Sequence, residues 1–128
     1  MNYGYIRVSS EKQTVENQRY EITEYCKHKG LIIDKWIEES VSGARHPNVR
    51  KLGKILNTID KGDTIYVTEL SRLGRCAYMV IAIISHCLIA KANIVEIRDD
   101  KLIKDDSDSV QDTFLKVLFA QREREDIS

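Results

Sequence analysis

The sequence has little of what would mark a secreted, membrane-spanning or metal-dependent protein. Its three cysteines, Cys26, Cys76 and Cys87, include no C-x-x-C pair. Their odd number suggests neither a disulfide framework nor a zinc knuckle, and free thiols in a reducing cytoplasm are expected. The apolar run from Ala77 to Ala90 contains Ser85 and His86. It is shorter than the ~20 residues of a membrane span and reads as a buried or interface helix. Arg7 and other early charges interrupt any signal-peptide apolar region. The 20 basic and 20 acidic residues give a net charge of +0. That balance argues against a whole-domain basic footprint of the kind many DNA-binding proteins carry, while leaving room for a local patch. No carboxylate has metal-ligand spacing with His28, His46 or His86, so no metal site is suggested, and no cofactor is expected. There are no internal repeats or low-complexity tracts.

What is present suits one domain. A chain of 128 residues buries roughly two-thirds of its unfolded surface. The pattern alternates strand and helix. Asn2 to Val8 reads as a strand. Glu11 to Lys29 has helical spacing, with Val15, Ile22 and Cys26 on one face and Gly30 as its stop. Leu31 to Glu38 reads as a second strand, and Glu39 to Asn48, with Gly43 and the sole proline Pro47, as a loop. Leu52, Ile55, Leu56 and Ile59 mark a short amphipathic helix closed by Lys61-Gly62-Asp63. Thr64 to Leu70 is a third strand, Ser71 opens a helix running to about Ala90, and Asn93 to Arg98 is a fourth strand. An acidic loop from Asp99 to Ser109 has room for a short edge strand at Leu102-Ile103. A last helix begins near Asp108 and is still running at Ser128. The expected fold is α/β, with a mostly parallel sheet of four to five strands.

Chemistry enters at Tyr5-Ile6-Arg7-Val8-Ser9-Ser10. Alternation places Tyr5, Arg7 and Ser9 on one face of the strand. An arginine inside a strand needs a partner, and an anion is the expected one. A guanidinium fork beside a hydroxyl suits a nucleophile acting on phosphate. The segment Glu69-Leu70-Ser71-Arg72-Leu73-Gly74-Arg75 points the same way. With Ser71 as N-cap, Arg72 and Arg75 fall in the first helical turn, where cations oppose the helix dipole unless an anion lies between them. Both segments lie at carboxyl ends of strands, where open α/β sheets bind ligands. In the last helix Val110, Phe114, Val117 and Leu118 form one stripe. Leu115 and Phe119 widen it beyond the ~100° arc a single domain needs, which suggests a partner helix or a second subunit.

These motifs resemble the catalytic domain of the serine recombinases, in particular the small resolvase/invertase group. Tyr5-Ile6-Arg7-Val8-Ser9 is similar to the family's Y-x-R-V-S strand, with Gln13 and Gln18 at the spacing of its following glutamines. Ser42-Gly43 recurs in the loop, Lys61-Gly62-Asp63 precedes the third strand, and Ser71-Arg72-Leu73-Gly74-Arg75 looks like the D/S-R-L-G-R signature. Ala120-Gln121-Arg122-Glu123-Arg124 is similar to the A-x-x-E-R of the long helix. The resemblance implies a three-layer resolvase-like domain, with a catalytic core over residues 1–100. Residues 101–128 would hold a loop and the start of a long oligomerisation helix, cut mid-course and lacking the family's C-terminal helix-turn-helix domain. It implies a cytoplasmic, nucleoid-associated DNA invertase or resolvase that cuts and rejoins a double-stranded crossover site without a metal. The link would be a 5′-phosphoserine on Ser9, formed in a homodimer that pairs into a tetramer, with no membrane or small-molecule partner. Alternatives are a transposon or phage serine recombinase or integrase, and a non-catalytic DNA-assembly module.

The resemblance also assigns roles residue by residue. Arg7, Arg72 and Arg75 would stabilise the transition state, joined by Arg50 or, in a different loop alignment, Arg45. Gln13, Gln18 and Glu39 would orient the cluster, and Tyr5 shares the Ser9 face. Glu123 and Arg124 correspond to helix positions concerned with assembly and active-site contacts. Ser71 stands where many members have aspartate, which leaves Glu39 as the carboxylate candidate for the general base.

Overall fold

The computed structural model describes residues 1–8, 15–40 and 51–127, with side chains through residue 120 except that of Ser40. Its elements are β1 (Asn2–Val8), α1 (Val15–His28), β2 (Lys35–Ser40), α2 (Lys51–Thr58) and β3 (Thr64–Val67). After a 3₁₀ turn (Leu70–Arg72) come α3 (Ala77–Ile89), β4 (Asn93–Glu96), β5 (Lys101–Ile103) and α4 (Ser107–Ile127). The five strands lie in the order β2-β1-β3-β4-β5. The first four are parallel and β5 runs antiparallel on the edge.

Alternation along the strands divides the core into two layers, as a parallel sheet covered on both faces requires. Ile6, Tyr66 and Val95 point to α1, where they meet Ile22 and Cys26. Tyr3, Tyr5, Ile37, Ile65, Val67 and Ile94 point the other way, into a cluster with Leu52, Val80, Ile84 and Val117 from α2, α3 and α4. The result is the expected three-layer α/β domain. Gly4 is required by this packing, since a Cβ there would lie 2.5 Å from the Trp36 ring.

Several expected bounds shift; β2 runs on through Glu39, expected in the loop, and β3 and β4 end at Val67 and Glu96. The second strand begins at Lys35 rather than Leu31. Gly30, at φ +72°, lets α1 end in paired bonds from Gly30 N–H to the Lys27 carbonyl (3.2 Å) and from Leu31 N–H to the Cys26 carbonyl (2.8 Å). This glycine stop consumes Leu31, so the apolar run behind it turns back toward the sheet instead of pairing. The helix expected from Ser71 is broken in two, because Leu73 is drawn fully into the core and α3 starts only at Ala77. Gly74 makes the break possible: a Cβ there would lie 2.7 Å from the Met79 Cβ. On α4 the inward face is Val110, Thr113, Phe114 and Val117. Leu118, expected on that face, is turned outward with Leu115 and Phe119, each about half exposed.

Candidate active site

Arg7 sits one residue before the end of β1, half-buried on the face that carries Tyr5. Its Nε donates to the Arg72 carbonyl at 2.7 Å and its Nη2 to the Ser71 carbonyl at 2.8 Å. The partners of these two nitrogens are backbone carbonyls of the 3₁₀ turn. In return Arg72 Nη1 reaches the Arg7 carbonyl at 3.5 Å, a long contact. These bonds bind the carboxyl end of β1 to the turn that follows β3 and hold two guanidinium-bearing residues at one end of the sheet.

Neighbouring elements fix the same strand end. Gln18, buried on α1, donates Nε2 to the Arg7 carbonyl (3.0 Å) and accepts from the Arg7 N–H (3.3 Å), completing the backbone of Arg7. Glu39 lies opposite Arg7 in the β1–β2 register. Its buried carboxylate accepts from the Tyr5 hydroxyl at 2.9 Å and from the Leu52 N–H, at the start of α2, at 2.6 Å. A negative charge at the first turn of a helix is favourable, so Glu39 both anchors Tyr5 and caps α2.

The 3₁₀ turn differs from the arrangement expected of it. Ser71 does not cap a long helix: its Oγ donates to Glu69 Oε2 at 3.1 Å. Arg72 and Arg75 do not share a first helical turn. Arg72 lies within the 3₁₀ turn, whereas Arg75 is exposed on the segment between it and α3. Ser9, Ser10, Gln13, Arg45 and Arg50 lie outside the described residues. So do the side chains of Glu123 and Arg124, although the α4 backbone is helical through both positions.

Three charged residues at this end of the sheet were not singled out from the sequence. Arg98 pairs with Glu69 and, at 3.2 Å, with Glu21 of α1. Glu96, almost fully buried at the end of β4, accepts from the Leu70 N–H at 2.8 Å. Lys116 of α4 donates to both Glu96 and Asp99. Burial alone would lower the Lys116 ammonium, but the Asp99 and Glu96 carboxylates outweigh it and hold its pKa above the usual lysine value. The hydrogen bond from Lys116 in turn holds Asp99 below the ordinary carboxylate range. The available signal was the one that exposed Arg7: Glu96 closes a strand after Ile94 and Val95, and Lys116 interrupts the apolar run from Phe114 to Phe119.

Among the described residues, no group of three or more His, Cys, Asp or Glu side chains is placed to hold a metal ion. No described helix is long and apolar enough to cross a membrane.

Known proteins are similar to this chain in sequence and in fold. A resolvase from Clostridium perfringens is 32% identical, over 100% of this chain and 66% of its own length. A DNA-invertase from Salmonella abortus-equi is also 32% identical, over 95% of this chain and 59% of its own length. The chain thus spans about two-thirds or less of these relatives. The N-terminal catalytic domain of TP901-1 integrase superposes with a TM-score of 0.70 at 17% identity, covering 100% of this chain and 99% of that one. The sequence pattern that defines the resolvase N-terminal domain matches residues 2–128, so this chain belongs to the resolvase N-terminal domain family.

Proposed function

We propose that this chain is the catalytic domain of a site-specific DNA recombinase whose nucleophile is Ser9. In the first step the Ser9 Oγ attacks a scissile phosphate. One P–O bond forms to the serine and the bond to the 3′ oxygen breaks, leaving a 5′-phosphoserine and a 3′-hydroxyl. The proton lost by Ser9 is balanced by the one gained at the 3′ oxygen. After strand exchange the 3′-hydroxyls reverse the chemistry. A serine hydroxyl is a weak nucleophile, so most of the rate must come from fixed donors aimed at the developing phosphorane charge. Arg7, Arg72, Arg75 and Arg50 are the assigned donors, with Gln13 assigned to orient them and Gln18 and Glu39 holding the scaffold of Arg7 and Tyr5. The two donors bound to Glu39 favour an orienting role over that of a base.

The observation that carries this reading is the reciprocal tie between Arg7 and the 3₁₀ turn. It brings Arg7 and Arg72 to one strand end in the free protein. Such preorganisation is what electrostatic catalysis of phosphoryl transfer needs. The apolar outer face of α4, with Leu115, Leu118 and Phe119 at i, i+3 and i+4 spacing, supports pairing with a second copy, as a homodimer and then a tetramer. The fragment itself should bind DNA weakly and with little sequence choice, consistent with its net charge of +0. In the full-length protein, Ser9→Ala should retain DNA binding and lose all cleavage. Cleavage persisting in that variant refutes the assignment.

A further inference from the structure

Glu96 is an anomaly of burial. It ends a strand, Asn93-Ile94-Val95-Glu96, whose last three residues are buried, and it is itself 5% exposed. It borders a cleft of about 320 Å³ between the 3₁₀ turn, α3 and α4, where Leu70, Val80 and Val117 meet the charged Glu69, Arg98 and Lys116. A carboxylate buried to this degree must be compensated by its partners. Its two oxygens are used in different directions. Oε2 takes the Leu70 N–H, the first of the 3₁₀ turn, at 2.8 Å. Oε1 takes the Lys116 ammonium from α4.

We infer that Glu96 is a positioning residue that couples the seating of α4 to the geometry of the arginine cluster. The path is continuous. Lys116 bonds and orients the Glu96 carboxylate, which fixes the Leu70 amide, and the turn beginning there presents the Ser71 and Arg72 carbonyls to Arg7 at 2.8 and 2.7 Å. Each link is a hydrogen bond involving a charged group, the class with the greatest orienting power. α4 also carries the exposed Leu115, Leu118 and Phe119. A change in how α4 is held by a second copy would therefore reach the arginines through this one carboxylate. The inference rests on Arg7 and Arg72 being the phosphate-binding residues.

The test uses Glu96→Gln, which keeps shape and an acceptor, and Lys116→Met, which keeps the aliphatic stem. Lys101→Met is the control, since Lys101 ties β5 to Asp112 of α4 at 3.5 Å without touching the turn. Two readouts are taken on the full-length protein: the single-turnover rate of covalent adduct formation on saturating nicked DNA, and the NMR signals of the Leu70 amide and Arg7 Nε–H. Glu96→Gln and Lys116→Met should each slow adduct formation roughly tenfold at unchanged DNA affinity, the scale of a small misplacement of catalytic groups. Both should shift the two NMR signals, and Lys101→Met should do neither. Wild-type adduct rates in both variants with unmoved signals overturn the coupling. Equal slowing by Lys101→Met also overturns it, by showing that loosening α4 anywhere has the same effect. Absence of any adduct from the wild type would instead overturn the recombinase reading, leaving the NMR signals to decide the coupling alone.

Discussion

Removing the Arg7 guanidinium distinguishes a residue built into the scaffold from one held only for substrate. If Arg7 served phosphate alone, Arg7→Met would relieve repulsion with Arg72 and leave the free protein as stable as before, or more so. The structure predicts the opposite sign. Arg7 donates to the Arg72 and Ser71 carbonyls at 2.7 and 2.8 Å. Hydrogen bonds from charged donors contribute about 1.5–3 kcal/mol each, and the partly buried carbonyls would be left without these donors. Discounting for the half-exposed guanidinium and for imperfect additivity, a loss of about 3 kcal/mol is expected, against a total of about 5–15 kcal/mol for a domain. For a chain of this size that is a fall in Tm of roughly 10 °C. Arg7→Lys keeps the charge but not the fork, and should recover less than half of the loss. Urea or thermal denaturation of the variants, read by circular dichroism without DNA, measures both values. An Arg7→Met protein melting at or above the wild-type temperature would refute the reasoning.

Other expectations follow from single contacts. Gly74→Ala would bring a Cβ to 2.7 Å from Met79. It should cost about 1–3 kcal/mol in denaturant titrations, as overpacking does. The Asp99 carboxyl is held low chiefly by its hydrogen bond from Lys116. Its contribution to stability is therefore present above the ordinary carboxylate pKa of about 4 and lost as pH falls below it. Asp99→Asn should flatten the acid limb of the stability–pH curve, and an unchanged limb would count against the ion pair. Leu118→Asp places a charge on the outward face of α4 and should shift the chain toward monomer in sedimentation velocity and remove any dependence of its Tm on protein concentration. A monomeric wild type at high concentration would count against that face as an interface.

The layered fold was legible because its signals are local. The alternation of Tyr3, Tyr5, Ile6 and Val8 marks β1 end to end, and the 52, 55, 56, 59 spacing marks α2. Where local signals competed, tertiary context decided. Leu31, Ile32 and Ile33 look like the start of a strand, but the glycine stop at Gly30 claims the first of them. Ser71 looks like an N-cap, but burial of Leu73 breaks the chain from helical geometry before α3 can begin. The arginine in β1 stands out in the sequence, yet its carbonyl partners could not be read there. A backbone carbonyl carries no sequence signature, and the turn that supplies two of them was itself misread as helix. Glu96 and Lys116 escaped for a related reason: each is a lone charge in an apolar segment, and only the fold shows that the two meet.

The central claim, that Ser9 is the covalent nucleophile, is tested most directly by trapping the full-length protein on a nicked crossover-site substrate and sequencing the DNA-linked peptide by mass spectrometry. The account predicts a single phosphoserine linkage at Ser9. A linkage at Ser10, or cleavage with no covalent protein–DNA species at all, would contradict it.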